Sequence, residues 1–247
     1  MSTTWWVKVK EELPTPKEVK EYPIVVVKNQ NLSNEELVKF ASTLGRVWDD
    51  SQFSGLQQTI QRGNSVENSS VVNVSHDGAL KRINVPWHVD LSHYPIQVLP
   101  NRLLYSIEEE NPTPTIFFNS SVALIRRRDK LEELKNISAY HLAPYETPWT
   151  WPVKRPVVHK HPWKDYYSFV CPGGFAKEIE GQTKSNLESK MWVETLVKEI
   201  WTDELEYVHH YEKGDLVIYD NYTEIHRRES FKGERILKRV TWEPYIN

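Results

Sequence analysis

At 247 residues the chain is about one and a half times a typical domain of ~150 residues, which favours one medium-sized domain over residues 1–247 rather than two. Its 31 Lys and Arg against 34 Asp and Glu give a net charge of −3, so nothing draws it to nucleic acid in general. With 39% hydrophobic residues, 10 Trp and 12 Tyr, it is too rich in apolar and aromatic side chains to be a disordered chain.

The longest apolar runs, Tyr22 to Val27 and Leu216 to Tyr219, fall far short of the roughly 20 residues of a membrane span, so no membrane partner is expected. The start, Met1-Ser-Thr-Thr-Trp-Trp6, lacks the charged-then-apolar order of a secretory signal. A single cysteine, Cys171, forms no internal disulfide and suits a reducing compartment. The cytoplasm is the expected location.

In chain order, Tyr22 to Lys28 reads as a buried strand because it is a short β-branched run. Ser33-Asn-Glu-Glu36 has the form of a capping box, in which the Ser33 hydroxyl takes the Glu36 amide and the Glu36 carboxylate returns to the Ser33 amide. Leu37, Phe40, Ala41 and Leu44 follow at helical spacing, so a helix is predicted from Ser33 to Leu44, with Gly45 as a left-handed stop. Ser51 to Asp77 is rich in Gln, Asn and Ser, which indicates loops around a strand at Val71 to Val74. Asn119 to Leu134 predicts one or two helices, and Ser185 or Asn186 to Trp201 another, with Leu187, Met191, Leu196 and Ile200 on one face. Further strands are expected at Leu103–Ile107, Thr115–Phe118, Ser138–His141, Pro156–His159, Tyr166–Val170, Leu216–Tyr219 and Ile236–Trp242. Many short strands with a few helices and no regular βα alternation point to an antiparallel sandwich or barrel with helical decoration.

The chemistry lies in the histidines. Residues two apart in a strand project to one face, so His-x-acid presents two metal ligands together. His88-Val-Asp90 and His210-Tyr-Glu212 have that spacing, and His159-Lys-His161 has it with two imidazoles. With nine His and 34 acids, about one such pair arises by chance, and most are solvated polar residues. His88 follows Trp87 at the end of a run that suits a strand opening into a pocket. His210-Tyr-Glu212 precedes the tight turn Lys213-Gly-Asp215 and looks like a surface strand end.

Trp87-His88-Val-Asp90, Arg155 to Pro162, Gly214 to Asn221, Ile225-His226-Arg227 and Gly233 to Val240 occur in the order of one family. The chain resembles the taurine dioxygenase (TauD/TfdA) family of Fe(II)- and 2-oxoglutarate-dependent oxygenases. The resemblance implies a mixed α/β, mainly β fold: a double-stranded β-helix (jelly-roll) core with flanking helices. It implies Fe(II) held by His88, Asp90 and His226, and 2-oxoglutarate as cosubstrate with dioxygen. Arg235 falls where the family has the arginine for the far carboxylate of 2-oxoglutarate, a task the guanidinium fork suits. Thr115, 27 residues after His88, matches the threonine on that carboxylate. Arg239 lies four residues past Arg235, on the same strand face, near cosubstrate and substrate. Asn84 matches a substrate-contacting position, with a turn or capping role as the alternative, and Trp87 is expected to pack beside the metal.

The family's Gly-Gly-Asp-Thr stretch is here Asn111-Pro-Thr-Pro-Thr115, which puts the threonine assignment in question. Related halogenases carry a small residue in place of the carboxylate, so Asp90 argues for hydroxylation or another oxidation over halogenation. A small anionic or amino-acid-like metabolite is the expected substrate, with Tyr145–Pro152 and Phe53–Ser69 as candidate pocket walls. Desaturation, epimerisation and isonitrile formation on the same scaffold stay open, as do a non-catalytic cupin-like metal-binding protein and a zinc hydrolase. Self-association as a homo-oligomer is also left open.

Overall fold

The computed structural model describes residues 5–49, 70–75, 82–109, 113–142, 151–170, 176–179 and 186–245. The candidate walls Phe53–Ser69 and most of Tyr145–Pro152, the sole cysteine and the first four residues lie outside them.

Two sheets dominate the described residues. The larger has strand order Val7–Lys10, Ile24–Val27, Leu216–Tyr219, Asn101–Glu109, Arg235–Pro244, Gly45–Val47, with Val71–Ser75 pairing onto Arg235–Pro244. The smaller runs Glu206–His209, Thr115–Asn119, Glu224–Arg228, Val85–His88. All of these pairs are antiparallel except the edge pair Val7–Lys10 with Ile24–Val27. The sheets face each other as a jelly roll. Ile24, Val26, Leu104, Val217, Tyr219 and Leu237 of the larger sheet meet Phe117 of the smaller one, with Tyr211 between them.

Helices cover the outer faces, which explains why the central strands read as continuous apolar runs rather than alternating ones. The helix Asn34–Leu44, capped by Ser33 through the expected box, lays Leu37, Phe40, Ala41 and Leu44 on Val25, Val27, Leu103, Ile218 and Val240. Each large apolar side chain buried there contributes about 2 kcal/mol. Outside the smaller sheet, Phe118 and Ile225 pack with Leu124 and Leu134 of the helices Ser120–Arg126 and Arg128–Leu134, and with Leu196 and Ile200 of Asn186–Ile200. Among the described residues no helix is long and apolar enough to cross a membrane.

Two local expectations are corrected. Gly45 is extended, at φ 172°, and opens the strand Gly45–Val47. Glycine is needed there because a Cβ would stand 2.0 Å from the Glu243 carbonyl oxygen, not because the helix ends in the left-handed region. The single strand expected over Pro156–His159 is two, Val153–Pro156 and Val158–Lys160, interrupted at buried Val157.

Candidate metal centre

The smaller sheet sets the two histidines. His88 and His226 are register partners on adjacent strands, and Phe117 lies beside His226 in the next. Between the pairs Val85↔Arg228 and His88↔His226 the Val85–His88 strand carries one extra residue. Pro86, which has no N–H to give the ladder, belongs in such a bulge. The bulge changes the parity, so Val85 and His88, three residues apart, both line one cavity. Trp87, next to His88 in the strand, points to the opposite face and so away from the site. It packs on Trp201 on the outer face, ring centroids 4.4 Å apart, with the Arg227 guanidinium 5.2 Å from its ring.

Each imidazole is oriented by its own strand. His88 Nδ1 stands 2.8 Å from the Pro86 carbonyl and His226 Nδ1 3.2 Å from the Glu224 carbonyl. A carbonyl only accepts, so both Nδ1 atoms carry a proton, which turns both Nε2 atoms toward the site as the atoms available to ligate. The rings are 4.2 Å apart. Burial, and then the neighbouring His88, push His226 down to about 3, so it is neutral and able to ligate at neutral pH.

Asp90 does not share a strand with His88, as the spacing had implied. His88 ends its strand and Asp90 lies in the following turn. That turn is forced round by Leu91 at φ 59°, a left-handed conformation costing ~1 kcal/mol, which its packing with Trp48 and Tyr94 offsets. Asn221 clamps the backbone of the turn: its Oδ1 accepts from the Asp90 N–H at 2.9 Å and its Nδ2 donates to the Asp90 and Pro100 carbonyls at 3.0 and 3.1 Å. The Asp90 carboxylate thus comes within 3.6 Å of His88 Nε2 and 3.7 Å of His226 Nε2. Burial works against its charge, but the Arg102 guanidinium, followed by the two imidazoles, holds it well below the usual carboxylate range.

One ligand atom from each of His88, Asp90 and His226 falls within 4.8 Å of the others. Two neutral imidazoles and one ionised carboxylate with open positions are the donor set of non-haem Fe(II) oxygenases, so the residues present fit that metal. The Nδ1–carbonyl bonds are the outer contacts that such ligands need.

The same cavity is lined by Thr115, Arg227, Arg228, Arg235 and Arg239. Arg235 is buried, its guanidinium 5.3 Å from the Tyr211 ring and 5.9 Å from that of Phe231. Thr115 donates to the Tyr211 hydroxyl at 3.3 Å. Arg228 sits over the other side of this cluster, 4.8 Å from Phe231, and donates to the Ile83 carbonyl at 2.9 Å. Arg235 and Arg239 keep one parity because the register shift near Ile236 falls in the neighbouring strand, where Ser106 and Glu108 oppose consecutive residues.

Asn84 is exposed, one residue before its strand, and does not line the cavity. His210 and Glu212 are exposed, and Glu212 pairs with Lys28 at 2.7 Å. His161 is buried against Asp220 at 2.8 Å, away from the ligand cluster. Arg102, Tyr219, Asn221, Tyr211 and Arg228 went unassigned in the sequence. The one signal was Arg102, a lone cation inside the apolar run Asn101-Arg-Leu-Leu-Tyr105.

The family model described as taurine catabolism dioxygenase TauD, TfdA family matches residues 127–241, a stretch that carries His226, Arg235 and Arg239. An alpha-ketoglutarate-dependent 2,4-dichlorophenoxyacetate dioxygenase of Cupriavidus pinatubonensis is 26% identical, over 90% of this chain and 84% of the relative. Among solved structures, AAD-2 in complex with Mn(II) and N-oxalylglycine is similar at a TM-score of 0.77 and 19% identity, covering 97% of this chain and 96% of its own. A taurine dioxygenase from Burkholderia xenovorans is similar at 0.72 and 19%, covering 93% and 80%. Those two likenesses concern the fold, which is the jelly roll described above. With the matched motif region and a relative aligned along nine-tenths of this chain, the chain is similar to the TauD/TfdA family.

Proposed function

We propose that this chain, as one domain over residues 1–247, is an Fe(II)- and 2-oxoglutarate-dependent dioxygenase that oxidises a small anionic or amino-acid-like metabolite, most simply by hydroxylation. The observation that carries the proposal is that His88, Asp90 and His226 converge in one cavity with buried Arg235. The named relatives support it: one is alpha-ketoglutarate-dependent and acts on an aryloxyacetate, and one was solved with Mn(II) and N-oxalylglycine. Reduced iron is expected in the reducing compartment that a lone cysteine suits.

In this reading His88 and His226 offer Nε2, and Asp90 a carboxylate oxygen, to one face of the metal. Bound iron, together with 2-oxoglutarate and dioxygen, supplies the oxidising chemistry. The chain supplies position and electrostatics. Arg235, held in place by Tyr211 and Phe231, takes the far carboxylate of 2-oxoglutarate, and Thr115 offers its hydroxyl to the same group. Arg239 and the rest of the cationic lining favour an anionic substrate. The cavity's apolar residues Val74, Val85, Leu104 and Leu237 keep water from competing for the open positions. A metal hydrolase or a cupin-like binding protein would use the same three ligands but would give Arg235 no task.

The test is succinate formation from 2-oxoglutarate by anaerobically prepared protein given Fe(II) and then air. Iron-dependent turnover, lost in Asp90→Ala and Arg235→Ala, is expected. Absence of turnover together with absence of 2-oxoglutarate binding to the metal-loaded protein would overturn the reading.

A further inference from the structure

We infer that Arg102 and Tyr219 are positioning residues that fix Asp90 as a one-oxygen ligand; this rests on the reading of His88, Asp90 and His226 as the iron ligands. The larger sheet builds the arrangement. Tyr219, Arg102 and Thr241 are register partners on three adjacent strands, Leu216–Tyr219, Asn101–Glu109 and Arg235–Pro244, and so form one row across the sheet. Tyr219 faces inward, with Leu104, Val217 and Leu237.

The row receives one oxygen of Asp90. Arg102 Nε donates to Asp90 Oδ2 at 3.1 Å and the Tyr219 hydroxyl donates to the same oxygen at 2.9 Å. Arg102 is held at its other end, where Nη1 donates to Thr241 Oγ1, and it is 1% exposed. Thr241 is tied in turn by its carbonyl, which accepts from the Trp48 N–H at 3.0 Å. A planar guanidinium can span Asp90 and Thr241 at once in fixed orientation, which an ammonium cannot.

The geometry has a stereochemical consequence. Both oxygens face the imidazoles, Oδ1 3.6 Å from His88 Nε2 and Oδ2 3.7 Å from His226 Nε2, but two donors occupy Oδ2, so Oδ1 is the oxygen whose lone pairs remain for the metal. A bidentate carboxylate would fill a further coordination position, one of the three that a cosubstrate chelating through two atoms and dioxygen require. The Tyr219–Arg102–Thr241 row therefore keeps that position open. It also keeps Asp90 pointed inward before metal arrives.

The experiment uses the full chain, metal-free, titrated with Co(II) while its d–d absorption and affinity are read, beside the thermal midpoint of the metal-free form. Tyr219→Phe keeps the ring and removes one donor. It is expected to weaken Co(II) binding about tenfold, at the low end of the 10–100-fold typical of outer-shell contacts, and to shift the absorption toward higher coordination number. Arg102→Lys is expected to have the larger effect. Added to Asp90→Ala, which itself loses most Co(II) affinity, Tyr219→Phe should cost nothing further, because its effect runs through the missing carboxylate. If Asp90→Ala binds Co(II) as wild type does, the ligand reading falls and takes this inference with it. If Asp90→Ala loses affinity but Tyr219→Phe binds with unchanged affinity and spectrum, the row is a structural network only and the inference fails alone.

Discussion

The two sheets contribute to the site in different ways. The smaller sheet gives uncharged donors: two imidazoles opposite each other in register, each oriented by a backbone carbonyl two residues earlier in the chain. The larger sheet gives charge: Arg102 under Asp90, and Arg235 and Arg239 in the cavity. A neutral ligand held by its own strand can be exchanged with little consequence for folding, because it brings its orientation with it. A buried ion pair joined across 12 residues of chain and two elements ties metal binding to stability, since removing one partner leaves the other charged and desolvated.

The largest expected effect follows from that contrast. Asp90→Ala and His226→Gln should both abolish turnover, since each removes a ligand. In the metal-free protein they should part company. Asp90→Ala strands the Arg102 guanidinium and should cost about 3 kcal/mol of unfolding free energy. His226→Gln exchanges a neutral side chain for another of similar size and should cost about 1 kcal/mol or less. Urea unfolding of both metal-free variants reads the difference, and equal losses would dissolve the division between the halves.

Arg235 belongs to the charged half but faces ligand rather than protein. Arg235→Ala should weaken 2-oxoglutarate binding to the Mn(II)-loaded protein about a hundredfold, as expected for two charge-assisted hydrogen bonds together contributing about 3 kcal/mol. The metal-free protein should unfold closer to the wild-type urea midpoint than Asp90→Ala does, because the task proposed for Arg235 lies with the cosubstrate. A fall in stability with unchanged 2-oxoglutarate affinity would reassign Arg235 to packing against Tyr211 and Phe231.

How much of this could be read from residues alone divides along the same line. The neutral half was legible because His88 and His226 lie in motifs that resemble one family's, and strands of the larger sheet such as Ile24–Val27 and Leu216–Tyr219 announce themselves through β-branched runs. The capped helix Asn34–Leu44 was equally plain, because its box is a local device. The charged half was hidden, because Arg102 meets Asp90 and Thr241 only through pairings between strands distant in sequence, and its place inside an apolar run marks a buried cation without naming its partners. The outward orientation of Trp87 follows from alternation with its neighbour His88, whereas the bulge at Pro86, which returns Val85 to the His88 face, was hidden. Strands lacking an apolar run of their own escape patterning: Val85–His88 was read only as a strand end at His88, and Glu224–Arg228 was not predicted as a strand.

Positive charge also extends behind the Asp90 turn. Arg155 is buried and donates to the carbonyls of Ser92, Tyr94 and Ile96 at 2.5, 2.5 and 3.0 Å. Burial, and then Arg155, push His141 down to about 3, and both of its nitrogens lack hydrogen-bond partners among the described residues. Below its ordinary value of 6.5 the unfolded chain takes up a proton that the folded chain refuses until about pH 3. The unfolded state therefore binds more protons in that window, and stability is lost as pH falls through it. His141→Phe should remove about one proton from this linkage, flattening the loss between pH 6 and pH 4 by roughly 1 kcal/mol per pH unit. Urea midpoints at the two pH values check it, and parallel slopes for variant and wild type would show that His141 is not held neutral.

The smallest effects test where the neutral half ends. Thr115 is buried, lines the cavity and lies 3.3 Å from the Tyr211 hydroxyl; in the proposed complex its hydroxyl turns to the cosubstrate instead, and Thr115→Val removes that one hydrogen bond at nearly constant volume. That is about 1 kcal/mol, or roughly fivefold in KM for 2-oxoglutarate, with kcat little changed. Asn84 is exposed outside the lining, so Asn84→Ala should move KM for cosubstrate or substrate by less than about twofold, as for most surface changes. The pair is informative because the two residues reach the site by different routes. Thr115 lies directly opposite Arg228 in the ladder that carries His226, whereas Asn84 precedes the bulge that turns its strand. Were Asn84→Ala to cost more than Thr115→Val in steady-state assays, the substrate would have to reach past the bulge, and the cavity's rim would extend along Val85 to the residues ahead of it.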